Sequence, residues 1–414
     1  MAHLSLQASH SDPGSPASIL VVNAGSSSIR FAVFEAGERG RQRLTGKIER
    51  IGAAGATLVT FDQFGRPAEA RRIPAPSRRT AVTYFVRWLE RQNFCSSLRA
   101  VGHRVVHGLT HGEPERITPA LIAELRRIVP YDPDHLPREI ELIAALRRRH
   151  PRWLQVACFD TAFHRSMPQV ARMLSIPRRY ATAGIERYGF HGLACAHLVA
   201  ELVRLRDPAA KTGRVILAHL GSGASVTAVR AGRSVDTSMG LTPAGGVMMG
   251  TRSGDVDPGL IGFLARAGRM TPRQFDRMAN LESGLLGVSA TSSDVRDLIA
   301  REARDPRAAE ALALFCYQVK KSIGALVAVL GGVDTLVFSG GIGENAPALR
   351  QRICAGLGFL GIGVDRRRNA RNAPLISNAG GRVAVRVIRA GEERVIARAV
   401  NAFLGGLPPR RPPK

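Results

Sequence analysis

ILVVNAGSSSIRFAVFEAG, residues 19–37, and VILAHLGSGASVTAVRAG, residues 215–232, follow one plan. Each runs an apolar strand into a turn of Gly and Ser, resumes as an alternating strand and closes on Ala-Gly. Laid together, Gly25, Ser26, Ala32 and Val33 fall on Gly221, Ser222, Ala228 and Val229 at one constant offset. A plain hairpin needs only a tight turn such as Asn-Gly. Asn23, Gly25, Ser26, Ser27 and Ser28 instead crowd small polar groups and close-approach backbone into one place. That composition suits an oxygen-rich anion or its metal, a solvated Ser-rich loop being the plainer alternative. Chance likeness between two hairpins is the plainer alternative, whereas a strand–turn–strand recurring in both halves of the chain suggests two similar domains, each with a phosphate turn.

Both halves go on to mix strands with helical patterns. LRAVGHRVVHG, LPREIELIAALRRR and LQVACFD do so in the first half, TLVFSGGIGEN and ALRQRICAGLG in the second. The mixture predicts α/β architecture with mixed sheets. GGIGEN (Gly340–Asn345) lies between an apolar strand and a helical pattern, which brings backbone N–H groups to a nucleotide. Its spacing is not G-x-G-x-x-G, and the chain has no G-x-x-x-x-G-K-[ST] loop. A nucleotide here needs another solution.

The 414 residues suffice for two or three domains, and 45% hydrophobic with 22% charged is a soluble globular composition. No apolar run is long enough to cross a bilayer, so no membrane partner is expected. The segment from Ala311 carries Lys320 and Lys321 in its middle, with Leu312, Phe315, Val319, Ile323 and Leu326 at helical spacing; it reads as a buried helix. Residues 1–17 have neither a basic start nor an apolar segment, so they read as a disordered extension rather than a secretory signal. Residues 406–414 read as a disordered tail. Cys95, Cys158, Cys195, Cys316 and Cys354 form no C-x-x-C pair, which favours free thiols in the cytoplasm.

A formal charge of +26 raises nucleic acid as a partner. The excess is scattered Arg, however, with RRR runs at 147–149 and 366–368 beside apolar-periodic or loop sequence. Aromatic interleaving, zinc-finger spacing and a helix-turn-helix pattern are missing. The expectation is solvated Arg-rich faces and no specific nucleic acid, in a field that favours anionic substrates.

DTSMGLTPAGGVMMGTRSGDVDPG, residues 236–259, is the longest continuous signature. Together with NAGSSS, GHRVVHG, FDTAFH, RYGFHG, HLGSGAS, SSDVRD, GGIGEN and GEERVIAR, in that family's order, it resembles the acetate kinase family from about Ser18 to Phe403. The resemblance implies two ribonuclease-H-like domains of the actin and sugar-kinase superfamily with an active-site cleft between them. Residues 18–160 plus 394–405 would form an N-terminal acyl-kinase domain, and 161–393 a nucleotide-binding domain. It further implies an ATP:acetate phosphotransferase that uses Mg²⁺ (with Mn²⁺ as substitute), makes acetyl phosphate and ADP by direct in-line transfer, and forms a homodimer.

The resemblance also assigns residues. Asn23 and Glu392 would hold the metal, and Ser26 and Ser28 the phosphate, with Arg30 in place of a usual Lys. Arg104 and Arg252 would supply the charge that transfer between two anions requires, Arg104 also holding the carboxylate. His191 and His135 would donate to the phosphoryl group. Asp160, ending the strand LQVACF, would orient and assist the metal rather than act as base, because a carboxylate acceptor is already ionised. Val106, Phe190 and Pro243 would line the acyl pocket. His219, Leu220, Gly221, Ser222 and Gly223 would cradle phosphates; Asp294, Val295 and Arg296 would flank ribose and adenine; Gly341, Ile342, Gly343, Glu344 and Asn345 would pass under the base. His103, His107, His164 and the His219 ring read as structural.

Three departures stand out. Ser222 and Gly391 each occupy a position where the family has Asn, and YDPDHLPREI (131–140) replaces APLHNPPNI or similar. The last change sets Asp134 on a Leu of the acyl pocket. An unpaired carboxylate there is costly, so Asp134 is expected to turn out to solvent or find an Arg. Kinases of propionate or butyrate are the alternatives within the class. A nucleic-acid-binding protein on a kinase fold is the alternative outside it, and the intact Asn23, Arg104, Asp160, His191, Arg252 and Glu392 count against that.

Overall fold

The computed structural model describes residues 16–25, 27–37 and 40–406. Ser26 and most of both expected disordered ends, 1–15 and 407–414, lie outside the described residues. The chain divides into two compact units. One comprises the residues through Gly108, Glu113–Phe159 and the residues from Glu393 on; the other comprises Leu109–Gly112 and Asp160–Glu392.

The first unit carries β1 (Ser18–Ala24), β2 (Ile29–Glu35), β3 (Gln42–Glu49), β4 (Thr57–Asp62), β5 (Pro67–Arg72), β6 (Leu98–Val105), β7 (Glu115–Arg116) and β8 (Leu154–Phe159). They form one sheet in the order β5-β4-β3-β2-β1-β6-β8-β7. The second unit carries β9 (Arg214–Leu220), β10 (Ala224–Arg230), β11 (Arg233–Thr237), β12 (Thr335–Ser339) and β13 (Ala384–Val387), in the order β11-β10-β9-β12-β13. The stretch β3-β2-β1-β6-β8 repeats that second order strand for strand. In both, the first three strands in sequence pair antiparallel and the central strand pairs parallel with the fourth. This is the α/β class with mixed sheets that the mixture of strand and helical patterns predicts.

Register corrects the constant offset. Residues 25–28 separate the paired Ala24 and Ile29, whereas 221–223 separate Leu220 and Ala224. The second turn is one residue shorter. Val21 faces Ala32 as Leu217 faces Thr227, so the counterpart of Ala32 is Thr227, not Ala228.

In the first unit α1 (Arg78–Glu90), α2 (Pro119–Arg127) and α3 (Leu136–Arg149) accompany the sheet. Ser77 and Thr80 make a reciprocal capping box that starts α1, a device worth about 1 kcal/mol. From α1, Phe85 and Trp88 each lie 5.0 Å from the ring of Phe31 on β2, within a core that includes Leu20, Val22 and Leu142. Ile396 and Val400 of the helix Glu392–Leu404 close over Gly102 of β6. In the second unit the helix Pro306–Leu330 buries Leu312, Phe315, Val319, Ile323 and Leu326, as its spacing predicts, and packs on β9 and β10.

Candidate active site

Three of the candidate residues of the first unit gather at the ends of adjoining strands. Asn23, next to last on β1, lies opposite Arg30 of β2, and Arg104 comes from β6 on the other side of β1. Arg104 Nη1 donates to Asn23 Oδ1 at 3.2 Å, so the expected metal ligand and the expected carboxylate clamp touch. Arg30 is exposed beside Lys47. Val106 is buried, and its N–H donates to both oxygens of the buried Glu139 on α3, at 3.2 and 3.1 Å. His135 precedes α3, its Nδ1 2.8 Å from Asp132 Oδ1. Asp134 is exposed, as its desolvation cost requires.

Sequence reasoning missed Arg78. The capped start of α1 places its Nη1 to donate to Gly25 O at 3.1 Å and Ser28 O at 3.0 Å, spanning the NAGSSS turn. Burial lowers its guanidinium to about 10, still a cation at neutral pH. Only an Arg directly after a Ser-x-x-Thr cap hinted at it.

In the second unit His191 sits in the left-handed region with φ 58, unusual for a residue with a side chain. It is held there from both sides. Gly192 N donates to the carbonyl of Asp160 at 2.8 Å, and the His164 ring braces the carbonyl of Phe190. That carbonyl, 2.9 Å from His164 Nε2, only accepts, so Nε2 carries the hydrogen and Nδ1 accepts from Ser234 Oγ at 2.9 Å. His164 is thus a buried structural residue, and burial lowers it to about 4. Phe190 is buried beside it.

The His191 ring reaches over the HLGSG turn. Its Nδ1 lies 3.0 Å from Ser225 Oγ, and its ring centroid 4.8 Å from that of His219. A Cβ on Gly223 would sit 3.2 Å from His191 Nε2 and 3.7 Å from Arg252 Nη1. The two candidate catalytic side chains therefore converge on one glycine of the phosphate turn. Arg252 Nη1 donates to Pro243 O at 3.2 Å and approaches Met249 Sδ at 3.8 Å, which joins Arg252 to an expected acyl-pocket residue.

The other Gly-rich segments pack against the same turn. Gly221 N donates to Gly223 O at 2.9 Å, and Gly250 N to Ser222 O at 3.1 Å, with Ser293 of the SSDVRD segment against Gly250. The Ser222 side chain is exposed. Gly340 has φ +76, and a Cβ there would meet the backbone of Leu220 at 2.5 Å; only glycine lets GGIGEN lie on HLGSG. Gly341, Ile342 and Gly343 follow in a short helix. Glu344 Oε1 accepts from Gly340 N at 3.0 Å and Ala390 N at 2.8 Å, and Asn345 Nδ2 donates to Gly341 O at 3.0 Å, so both side chains brace the loop. Arg350, fully buried and likewise missed, donates to Gly343 O, Glu344 O and the two asparagines Asn369 and Asn372. Asp294 caps the helix Val295–Arg301 and pairs with exposed Arg296, whose side chain holds its carboxyl below the usual range; Val295 is buried.

Asp160 is buried, and Glu392 opens the last helix. Both lie within electrostatic reach of Cys195, whose thiol burial first, then these carboxylates, push up to about 12. Among the described residues no three His, Cys, Asp or Glu side chains converge to cage an ion. Asp160 and Glu392 offer carboxylate oxygens, the donors that a hard divalent cation takes. Gly391, before Glu392, has a reason of its own: a Cβ there would lie 2.7 Å from the His197 ring.

Two mixed sheets of one strand order, with charged and glycine-rich segments at their strand ends, define the class as α/β. The Acetokinase family profile matches residues 18–398, and the chain belongs to that family. It is 41% identical over 395 residues to the acetate kinase of Rhodopseudomonas palustris (strain TIE-1), covering 94% of this chain and 98% of that protein. It is 42% identical over 388 residues to the propionate kinase of Citrobacter rodentium, covering 92% and 96%. The crystal structure of Porphyromonas gingivalis acetate kinase superposes with a TM-score of 0.84 at 34% identity, covering 94% of this chain and 100% of that one.

Proposed function

We propose that this chain is an acetate kinase: it transfers the γ-phosphoryl group of ATP to acetate, reversibly and in line, giving acetyl phosphate and ADP. The observation that carries this reading is the convergence of His191 and Arg252 on Gly223. Both approach the glycine of a turn on which GGIGEN is stacked, so cation and imidazole face backbone that a phosphate can approach.

Roles follow from charge. Two anions must meet, and the transferring group spreads charge over its equatorial oxygens. Arg252, steered by the Pro243 carbonyl, supplies a fixed positive end, and His191 a donor held by Ser225. Arg104 takes the acetate carboxylate, with Val106, Phe190 and Pro243 against the methyl. His219–Gly223 and Gly341–Asn345 hold the nucleotide phosphates, with Asp294–Arg296 toward the ribose, and Arg30 adds positive charge. Asn23 and Glu392, helped by Asp160, would hold Mg²⁺ with water completing its shell; when bound, the ion neutralises phosphate charge. No base is needed, because acetate arrives ionised.

Transfer to propionate is the second reading, favoured by the Citrobacter rodentium relative. One methylene in an apolar pocket is worth only about 1–3 kcal/mol of discrimination. A coupled assay in both directions across acetate, propionate and butyrate decides. Highest kcat/KM with acetate supports the proposal; a preference for a longer acid by more than about tenfold replaces it. We also place the protein in the cytoplasm as a homodimer without specific nucleic-acid binding. Its five free thiols support a reducing compartment.

A further inference from the structure

We propose that Asp132 is a positioning residue for the transfer step, holding His135 by Nδ1 so that only Nε2 is left for substrate. The inference rests on the proposed kinase function and on the role it gives His135. The loop YDPDHLPREI contains two acids, and they have separate fates. Asp134 is exposed, whereas Asp132 is only 3% exposed. Asp132 Oδ1 lies 2.8 Å from His135 Nδ1 and also accepts the His135 N–H at 3.1 Å. The Asp132 carbonyl accepts the Leu136 N–H at 3.2 Å, so backbone and side chain together tie the loop to the start of α3.

A carboxylate can only accept, so Nδ1 of His135 carries hydrogen. The ring is then fixed in tautomer and in direction, as a carboxylate fixes the imidazole in other His–carboxylate pairs. For His135 to donate through Nε2 both nitrogens must bear hydrogen, and Asp132 supplies the charge that balances the ring. Neighbouring groups do not displace it from this task. Glu139 accepts from Val106 N–H with both oxygens, and Asp134 faces solvent. His107, within electrostatic reach of Asp132 and 5.4 Å from the Tyr131 ring, is lowered by burial to about 4 and is neutral near pH 7.

The test uses the full-length enzyme with Mg²⁺ and ATP, and the variants Asp132→Ala, Asp132→Asn, His135→Ala and Asp132→Ala/His135→Ala. His135→Ala is expected to lower kcat about 10²-fold, the scale of one hydrogen-bond donor to a developing charge. Asp132→Ala should approach that loss with the KM values for ATP and acetate changed less than about threefold, and should cost less than about twofold more in the His135→Ala background. Asp132→Asn, which keeps an acceptor but no charge, should lose less than Asp132→Ala and serves if the latter fails to fold. Nitrogen-15 spectra of the wild-type side chain should show hydrogen on Nδ1. Equal losses from Asp132→Ala in both backgrounds, or a bare Nδ1, overturn the proposal while leaving the kinase function intact. Full activity of His135→Ala overturns the role of His135 and the proposal with it, and a wild-type enzyme that phosphorylates no short carboxylate overturns the function itself.

Discussion

His191 Nδ1 lies 3.0 Å from Ser225 Oγ, and this bond ties a left-handed histidine to the strand that leaves the HLGSG turn. The same ring lies over Gly223. Ser225→Ala should lower kcat by about tenfold, or ~1.4 kcal/mol, with little change in the KM for ATP. Steady-state kinetics check this; unaltered kcat would show that the backbone brace alone aims the ring.

Pro243 O and Met249 Sδ hold one end of the Arg252 guanidinium. Arg252→Ala should lower kcat by roughly 10²–10³ with a smaller change in the KM for ATP, because the charge matters most in the transition state. Arg252→Lys should recover little, lacking the planar fork. Arg104→Ala should also raise the KM for acetate, and equal acetate affinity without Arg104 would remove it from the acyl site.

Gly391 and His197 share one space. Gly391→Asn should press on the ring, lower the melting temperature by the equivalent of about 1–3 kcal/mol, and raise the Mg²⁺ concentration needed for half-activity by displacing Glu392. His197→Ala in the same chain should restore part of both. Melting curves and Mg²⁺ titrations of the single and double variants read the coupling, and additive losses would refute it.

Asp134 is exposed, so Asp134→Leu should change acetate kcat/KM by less than about tenfold. A larger gain, or a switch to propionate or butyrate, would place this side chain against the acyl group.

His103, His107 and His164 are buried, and burial lowers each from 6.5 to about 4. Between these values the unfolded chain binds more protons than the folded one. Stability is therefore full above about pH 6.5 and lost as the pH falls toward about 4, by at most roughly 3 kcal/mol per residue. Urea midpoints measured at pH 7.5 and 5 should show the fall; a flat midpoint would mean these rings are solvated.

Much of this protein is written locally. Strand periodicity and turn composition in residues 19–37 and 215–232 predict a doubled hairpin with glycine-rich turns, and the helical patterns that follow add the α/β architecture, because alternation, helical spacing and small turn residues depend on near neighbours in the chain. The order of the motifs identifies the family and names Arg252, His191 and Glu392. Other features came only from packing. The one-residue difference between the two turns is a matter of sheet register, which two strands decide together. Why residue 391 is glycine, and that Arg78 spans the first turn from α1, each rest on groups far apart in sequence. A sequence states which side chains are available, but desolvation and hydrogen-bond geometry, which assign them their work, exist only once the elements have closed on one another.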